Sequence, residues 1–298
     1  MRMSTRGVRS FHPAVMLAYY VVVIIGFMLS QHPVFLAVGV GFLLVFHFLI
    51  DKGEQLKTWS TMILTLAVFI LVLTPVFNRR GNHILFYLFG NQVMLEAIIQ
   101  GIMLALTLVG ILLVFISLNQ IISQGRFLYL FARISPQWAL LSMLAVRFVP
   151  LLKKRLKEIE EIQKVRGFSV TKGSIKERGK NGMLFLQALL TGSLEQSIQT
   201  ADSMSARGYG QQKRTHYQAF TMKNKDWYAL AFILVTGSCM VFGWWLEDSV
   251  LSLLPVLETS QLEQREWVFI ANWTLLLAFP LWLEGKEVAK WKFYLQKI

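Results

Sequence analysis

Residues 92–118 read QVMLEAIIQGIMLALTLVGILLVFISL, and Glu96 is the only charged residue among them. Roughly 20 apolar residues in a helix cross the hydrocarbon core of a membrane, so this stretch is long enough to span it. Further apolar stretches of suitable length lie at about 13–30, 34–50, 59–77, 227–246 and 267–283. The sequence therefore predicts an all-α fold, a polytopic membrane helix bundle with about six spans.

The composition agrees with a membrane protein and excludes other classes. Hydrophobic residues make up 55% of the 298 residues and charged residues 16%, whereas a soluble domain has about 45–50% apolar and about 25% charged residues. The apolar content excludes a disordered chain. The single cysteine, Cys239, leaves no partner for an internal disulfide, which argues against a secreted disulfide scaffold. The net charge of +13 fits a membrane protein whose charges are sorted by side.

Lys and Arg are strongly sorted between the connections of the predicted spans. With the N-terminus inside, the inner segments hold 27 Lys and Arg and the outer segments hold 3. Because positive residues near span ends stay on the cytoplasmic side, we expect both termini in the cytoplasm. The chain then divides into an N-terminal four-span region (1–118), a cytoplasmic region (119–226) and a C-terminal two-span region (227–298).

The cytoplasmic region carries 18 Lys and Arg against 7 Asp and Glu. Its Pro136–Pro150 segment is apolar but short for a span, which favours a helix lying on, or dipping into, the inner membrane face. Leu152 and Leu156 then begin an apolar row at helical spacing, with Lys and Glu on the other faces. This pattern predicts an amphipathic helix that ends at Arg166-Gly167.

A second amphipathic helix follows in the same region. Residues 171–182 are polar and hold three glycines, which predicts a loop. From about Met183 onward, an apolar row recurs every fourth residue. The row contains Leu186, Leu190, Leu194 and Ile198. This helix ends at Arg207-Gly208, so both predicted helices end in the same dipeptide.

Each Arg-Gly dipeptide has two interpretations. Glycine is common just past a helix end because it adopts positive φ cheaply, and a cation there is favoured by the helix dipole. A helix cap therefore explains either dipeptide alone. Two long helices with the same ending favour a second interpretation, since the planar fork of arginine binds carboxylates and carbonyls on a partner. Such a pair suits a membrane protein that receives movement from two cytosolic subunits.

At these residues the chain resembles the transmembrane T component of energy-coupling factor (ECF) transporters, the CbiQ type. That family carries Ala-Arg-Gly at the ends of two long cytoplasmic coupling helices. The second motif is intact here as Ala206-Arg207-Gly208, and the first reads Val165-Arg166-Gly167. Further similarity lies in Phe11-His12-Pro13, in Arg147-Phe148-Val149-Pro150 and in SLEQSIQTADSMSARGY (193–209).

The resemblance implies a non-catalytic transporter subunit in the plasma membrane of a bacterium or archaeon. Two ABC-type ATPase subunits would bind the coupling helices, with Arg166 and Arg207 each engaging one of them. ATP would be used by those partners, and this chain would bind no cofactor. A small membrane subunit (the S subunit) would capture a vitamin or a transition-metal ion and release it inside when the coupling helices move.

The capture subunit would need an apolar platform on the coupling helices. The candidates are Leu152, Leu156, Leu186, Leu190, Leu194 and the Pro136–Pro150 segment. The small residues Ala97, Gly101 and Ala105 form a stripe on one face of the fourth span, which lets another helix approach closely. That helix belongs either to this chain or to a separate membrane subunit. We expect Glu96, at the outer end of this span, to be interfacial.

Three other function classes have weaker support. A self-contained secondary transporter or channel would carry ionisable groups along its spans, and these spans are nearly free of them apart from Glu96. A membrane-tethered nucleic-acid binder would explain the basic region, but such regions more often serve topology and contact with anionic membrane lipid. The motifs of a hydrolase or a metalloprotease are absent from the sequence, so we expect no catalytic residue and no metal site. We also expect no nucleic-acid partner.

Overall fold

The computed structural model describes residues 7–78, 81, 83–88, 91–168, 174–211, 220–246 and 264–295. The elements in chain order are a 3-10 turn (Gly7–Ser10), α1 (Pro13–Leu29), α2 (Pro33–Asp51), α3 (Glu54–Phe77), β1 (Ile84–Leu88), β2 (Asn91–Met94), α4 (Leu95–Ile121), α5 (Gln124–Ile134), α6 (Pro136–Val165), α7 (Ile175–Ala206), α8 (Asn224–Trp245) and α9 (Gln264–Leu295). The strands β1 and β2 form an antiparallel hairpin.

The chain forms two compact units. The first, here called the bundle, contains Met1–Arg126 and Phe220–Ile298; the second, here called the insert, contains Phe127–Ala219. Five bundle helices, α2, α3, α4, α8 and the Gln264–Glu287 part of α9, are long and apolar enough to cross a membrane. The shorter apolar helix α1 has 17 residues. The predicted all-α bundle of about six spans is confirmed.

The first two spans begin in the same way, each at a His-Pro pair. Proline has no N–H and its φ is already helical, so it fits the first position of a helix. The preceding His12 and His32 accept hydrogen bonds through Nδ1 from the backbone N–H groups of Ala14 (3.2 Å) and Val34 (3.3 Å). Burial lowers the pKa of His32, which favours the neutral ring that this hydrogen bond requires.

In the bundle core, an aromatic ring packs directly against the backbone of glycine residues. The Phe27 ring of α1 is fully buried and contacts glycines of two neighbouring helices. A Cβ atom on Gly39 of α2 would lie 2.7 Å from Phe27 Cζ, and one on Gly110 of α4 would lie 2.3 Å from Cε1. Since real Cβ atoms do not come that close, the two glycines create the space that Phe27 fills.

A second ring closes the same core from α9. Trp273 is buried and packs edge-on against Phe27, with ring centroids 5.3 Å apart. Its indole N–H donates to the carbonyl of Phe35 in α2 at 3.1 Å, which satisfies the polar group of a buried tryptophan. A Cβ on Gly26 of α1 would lie 2.5 Å from this ring. Phe27, Trp273 and the glycines thus join α1, α2, α4 and α9.

The small-residue stripe of α4 lies against α3. Ala97, Gly101 and Ala105 are buried. A Cβ on Gly101 would lie 3.3 Å from Thr74 Cβ and 3.5 Å from the Leu71 carbonyl oxygen. At Gly101, therefore, the close approach is to a helix of this same chain.

Glu96 differs from our expectation of an interfacial carboxylate. It lies at the start of α4 but is only 3% exposed. Its Oε1 accepts the backbone N–H of His83 at 3.2 Å and contacts His83 Nδ1 at 3.0 Å. His83, just before β1, also contacts the first turn of α4 through its carbonyl, which accepts the Leu95 N–H at 3.0 Å.

Two predictions about the insert were wrong in their boundaries. Pro136–Pro150 is not a separate helix, because α6 continues through Pro150 to Val165. A proline inside a helix removes one hydrogen bond, and α6 continues past Pro150 in spite of this loss. Helix α7 begins at Ile175 and not near Met183, so most of the predicted 171–182 loop is helical.

A capping box explains the early start of α7. The Ser174 hydroxyl accepts the Glu177 N–H at 3.3 Å, and the Glu177 carboxylate accepts the Ser174 N–H at 3.0 Å. These hydrogen bonds lower the pKa of Glu177. Satisfying two helix-end donors offsets part of the cost of Gly179 and Gly182 inside the helix, about 1 kcal/mol each relative to alanine.

We expect Gly39→Ala and Gly41→Ala to have opposite effects, although the two glycines lie in the same helix. An added Cβ at Gly39 meets Phe27, whereas one at Gly41 meets nothing within 4 Å. Overpacking should destabilise Gly39→Ala by about 1–3 kcal/mol, while Gly41→Ala should be neutral or slightly stabilising. Thermal unfolding of both variants in the same detergent tests this, and equal unfolding temperatures would contradict the proposed role of Phe27.

Candidate functional site

The two long helices of the insert contact each other well before their C-terminal ends. Arg155 of α6 donates through Nη1 to the Gly192 carbonyl of α7 at 2.9 Å. Phe185 of α7 is buried. At 1.5 Å per residue, α6 runs roughly 17 Å beyond Arg155 before reaching Arg166, and α7 roughly 23 Å beyond Gly192 before reaching Arg207. Each arginine therefore lies at a helix end distant from this contact.

The end of α6 is a Schellman motif. Arg166 is the last half-helical residue (φ −82°, ψ 3°), and Gly167 follows with φ +84°. The Gly167 N–H donates to the Lys164 carbonyl at 3.1 Å, and the Phe168 N–H donates to the Gln163 carbonyl at 3.0 Å. These two bonds satisfy carbonyls that the end of a helix leaves free.

The end of α7 repeats this geometry. Arg207 has φ −82° and ψ 5°, and Gly208 has φ +78°. The Gly208 N–H donates to the Ser205 carbonyl at 2.9 Å, and the Tyr209 N–H donates to the Met204 carbonyl at 3.0 Å. Both helix ends, here called the tips, therefore hold an arginine and a glycine in the same backbone conformation.

The geometry separates the role of the glycine from that of the arginine. A positive φ explains why a glycine follows each helix. The arginine side chains are exposed, and within the described ranges no acidic residue or hydrogen-bond acceptor holds either of them. The cap therefore requires glycine but leaves both guanidinium groups able to bind a partner. Val165, which replaces alanine in the first motif, is 89% exposed, so its larger side chain meets no steric obstacle in this chain.

Each tip also carries an aromatic residue that sequence reasoning missed. Phe168 and Tyr209 occupy the same position after the two glycines and are 43% and 46% exposed. The residue at this position of a Schellman motif commonly packs against the last turn of its helix. The signal was available in the sequence, since both Arg-Gly dipeptides are followed by an aromatic residue.

The leucine rows of the two insert helices differ in exposure. In α6, Leu152 is half-buried and Leu156 is more exposed. In α7, Leu186, Leu190 and Leu194 are all exposed, the last two by 61% and 66%. The buried Phe185 lies one residue away from this row, so the row is not the packing face of α7 within the insert.

No metal site emerges from the described part of the chain. No group of three or more His, Cys, Asp or Glu side chains is placed there to hold a metal ion. His47 of α2 contacts the Leu113 carbonyl through Nε2 at 3.0 Å.

Comparison with known proteins bears on the tips directly, since the matched region includes both. The family model of CbiQ, described as a cobalt transport protein, matches residues 6–217. The chain belongs to the CbiQ family. It is thus a membrane protein and a T component of the ECF transporter type. The match also contains Phe11-His12-Pro13 at the start of the bundle.

Individual relatives agree with this family. The energy-coupling factor transporter transmembrane protein EcfT of Bacillus selenitireducens is 28% identical over 248 residues, which cover 78% of this chain and 91% of the relative. EcfT of Staphylococcus aureus is 27% identical over 57% of this chain and 69% of the relative. EcfT of Limosilactobacillus fermentum is 32% identical, but the match covers only 34% of this T component and 38% of the relative.

The tip glycines yield a prediction that separates cap geometry from helix propensity. In this T component, Gly208→Ala should destabilise the end of α7 by about 1–2 kcal/mol, because alanine is strained at positive φ. Gly179→Ala, in the interior of α7 with no neighbour within 4 Å, should stabilise the same helix by up to about 1 kcal/mol. Amide hydrogen exchange at residues 204–209 measures the first effect and at 177–183 the second. Similar exchange changes in both variants would contradict the tip geometry.

Proposed function

We propose that this chain transmits ATP-driven motion from two cytosolic ABC-type ATPases to a separate substrate-capture subunit in the membrane. The cargo would be a vitamin or a transition-metal ion, and the membrane would be the plasma membrane of a bacterium or archaeon. Both termini and the insert would lie in the cytoplasm, as the distribution of Lys and Arg predicts. The relatives' name, energy-coupling factor transporter transmembrane protein, supports this assignment.

The observation that carries the proposal is the identical construction of the two tips. Each presents one exposed arginine at the end of a long helix, fixed by the same pair of backbone hydrogen bonds. Two tips of the same geometry would fit two equivalent grooves, one on each ATPase subunit. A guanidinium held at a helix end can form a bidentate pair with a carboxylate in such a groove, so a displacement of the partner would be passed to α6 and α7.

The exposed leucine row of α7 supports the second half of the proposal. Leu186, Leu190 and Leu194 lie outside the internal contacts of the insert, and burying apolar surface gains about 25 cal/mol per Å². A membrane protein subunit resting on this row would bury it. We therefore assign the platform for the capture subunit to these leucines, with Leu152 and Leu156 of α6 as its continuation.

Removing both tip arginines should abolish ATPase binding. We expect Arg166→Ala with Arg207→Ala to lower recovery of the two ATPase subunits with the tagged chain at least about tenfold, since a buried charge pair that loses one partner costs 3–5 kcal/mol. The capture subunit should still bind its cargo. Co-purification from membranes measures ATPase recovery, and a binding assay on the capture subunit measures cargo binding. ATP-driven uptake in liposomes should be lost together with the ATPases.

The control removes two cations elsewhere on the same helices. Lys153→Ala with Lys176→Ala changes the net charge equally, at exposed positions far from the tips. Arg166→Lys with Arg207→Lys keeps the charge but removes the planar fork, so partial recovery is expected from this variant. Normal ATP-driven uptake by the double alanine variant would show that the tips are helix caps only.

The platform can be tested without disturbing the tips. Leu190→Ser with Leu194→Ser should release the capture subunit while both ATPases stay bound, because these exposed side chains do not support the fold. Ile175→Ser is the matched control, since Ile175 is 88% exposed and lies more than two turns before the row. Retention of the capture subunit by the double serine variant would place the platform elsewhere.

A further inference from the structure

Residues 7–12, here called the N-terminal clasp, bind the end of α4. The Arg9 guanidinium donates through Nη2 to the Gln120 carbonyl at 3.1 Å. Gln120 is the penultimate residue of α4, where carbonyls lack partners within the helix and the helix dipole is negative. A cation placed there stabilises the end of the helix and also attaches it to the clasp.

The same segment binds the start of α8. The His12 backbone N–H donates to Asp226 Oδ1 at 3.1 Å, while Asp226 Oδ2 accepts the Lys223 N–H at 2.9 Å. Asp226 is buried, so its carboxylate depends on these donors. Lys225 Nζ in addition donates to the Ser10 carbonyl at 3.2 Å.

A third attachment fixes the clasp to α9. The Val8 N–H donates to Glu284 Oε1 at 3.1 Å, and the Gly7 N–H donates to Glu287 Oε1. Gly7 has φ +72°, and a Cβ there would lie 2.7 Å from the Glu284 carboxylate. Both the turn and the close approach therefore require glycine. The clasp thus spans three helices, with polar contacts to each.

The position of two of these attachments along the chain gives the clasp a function. Gln120 lies six residues before Arg126, where the chain leaves the bundle for the insert, and Lys223 and Asp226 lie three and six residues after Phe220, where the bundle resumes. We propose that residues 7–12 position the end of α4 and the start of α8, here called the roots of the insert. Force applied to the insert helices would then reach the bundle and not be lost by fraying of these two helix ends. Arg9 and Asp226 are the positioning residues. The transport consequence rests on the proposed coupling function.

The first measurement does not depend on transport. In the purified full chain, Arg9→Gln and Asp226→Asn should each speed amide exchange about tenfold, at residues 118–122 and 224–228 respectively, since hydrogen bonds to charged groups are the stronger class. Lys57→Gln is the control, because Lys57 is an exposed cation in the first turn of α3 and outside the clasp. Exchange equal to the control in both variants would overturn the clasp. If Asp226→Asn fails to fold, amide exchange in Arg9→Gln, a change at a partly exposed site, decides whether the clasp holds the end of α4.

The second measurement tests positioning. In the complex with both ATPases and the capture subunit, Arg9→Gln should lower cargo uptake per ATP hydrolysed at least about threefold, with the ATPases still bound. An uptake-to-hydrolysis ratio equal to that of Lys57→Gln, despite faster exchange, would overturn the positioning role. If the wild-type complex shows no ATP-driven uptake, the proposed function fails, and the exchange data still decide whether residues 7–12 hold both roots.

Discussion

The fold depends on the contact between the Phe27 ring and the bare backbone of Gly39 and Gly110. Helices in a membrane gain little from apolar burial alone, because lipid tails are as apolar as leucine. Their association relies on close packing, which requires small residues on one side and a shape that fills the gap on the other. Phe27 and Trp273 supply that shape for four helices at once, and the Trp273 N–H bond to Phe35 fixes the orientation of the second ring.

The predicted cytoplasmic end of the bundle is held by a different kind of force. Here, backbone N–H groups of residues 7–12 donate to carboxylates, and the Arg9 guanidinium donates to a helix-end carbonyl. Such hydrogen bonds are directional, so they define where α4 ends and α8 begins, which apolar packing alone does less sharply. The bundle therefore combines a tightly packed centre with an end held by hydrogen bonds.

The insert, unlike the bundle, leaves most of its described side chains exposed. Among its described residues few side chains are buried, Phe185 and Ala139 among them, while a leucine row of α7 and the two tip arginines are exposed. Large exposed apolar surfaces are typical of sites that contact other proteins or a membrane. At each tip the backbone requires the glycine, whereas the exposed arginine is not needed for the cap.

The sequence by itself determined the spans, the helix ends at Arg166-Gly167 and Arg207-Gly208, and the family. Hydropathy depends on residue type alone, and a Schellman ending depends on a local requirement for positive φ. The start of α7 was also locally encoded, in Ser174 and Glu177, but the nearby glycines masked the signal. Tertiary structure alone decided the burial of Glu96, the opposite roles of Gly39 and Gly41, and the contacts of residues 7–12 with α4, α8 and α9. These features depend on which distant residue lies nearby, and that is fixed only when the helices pack.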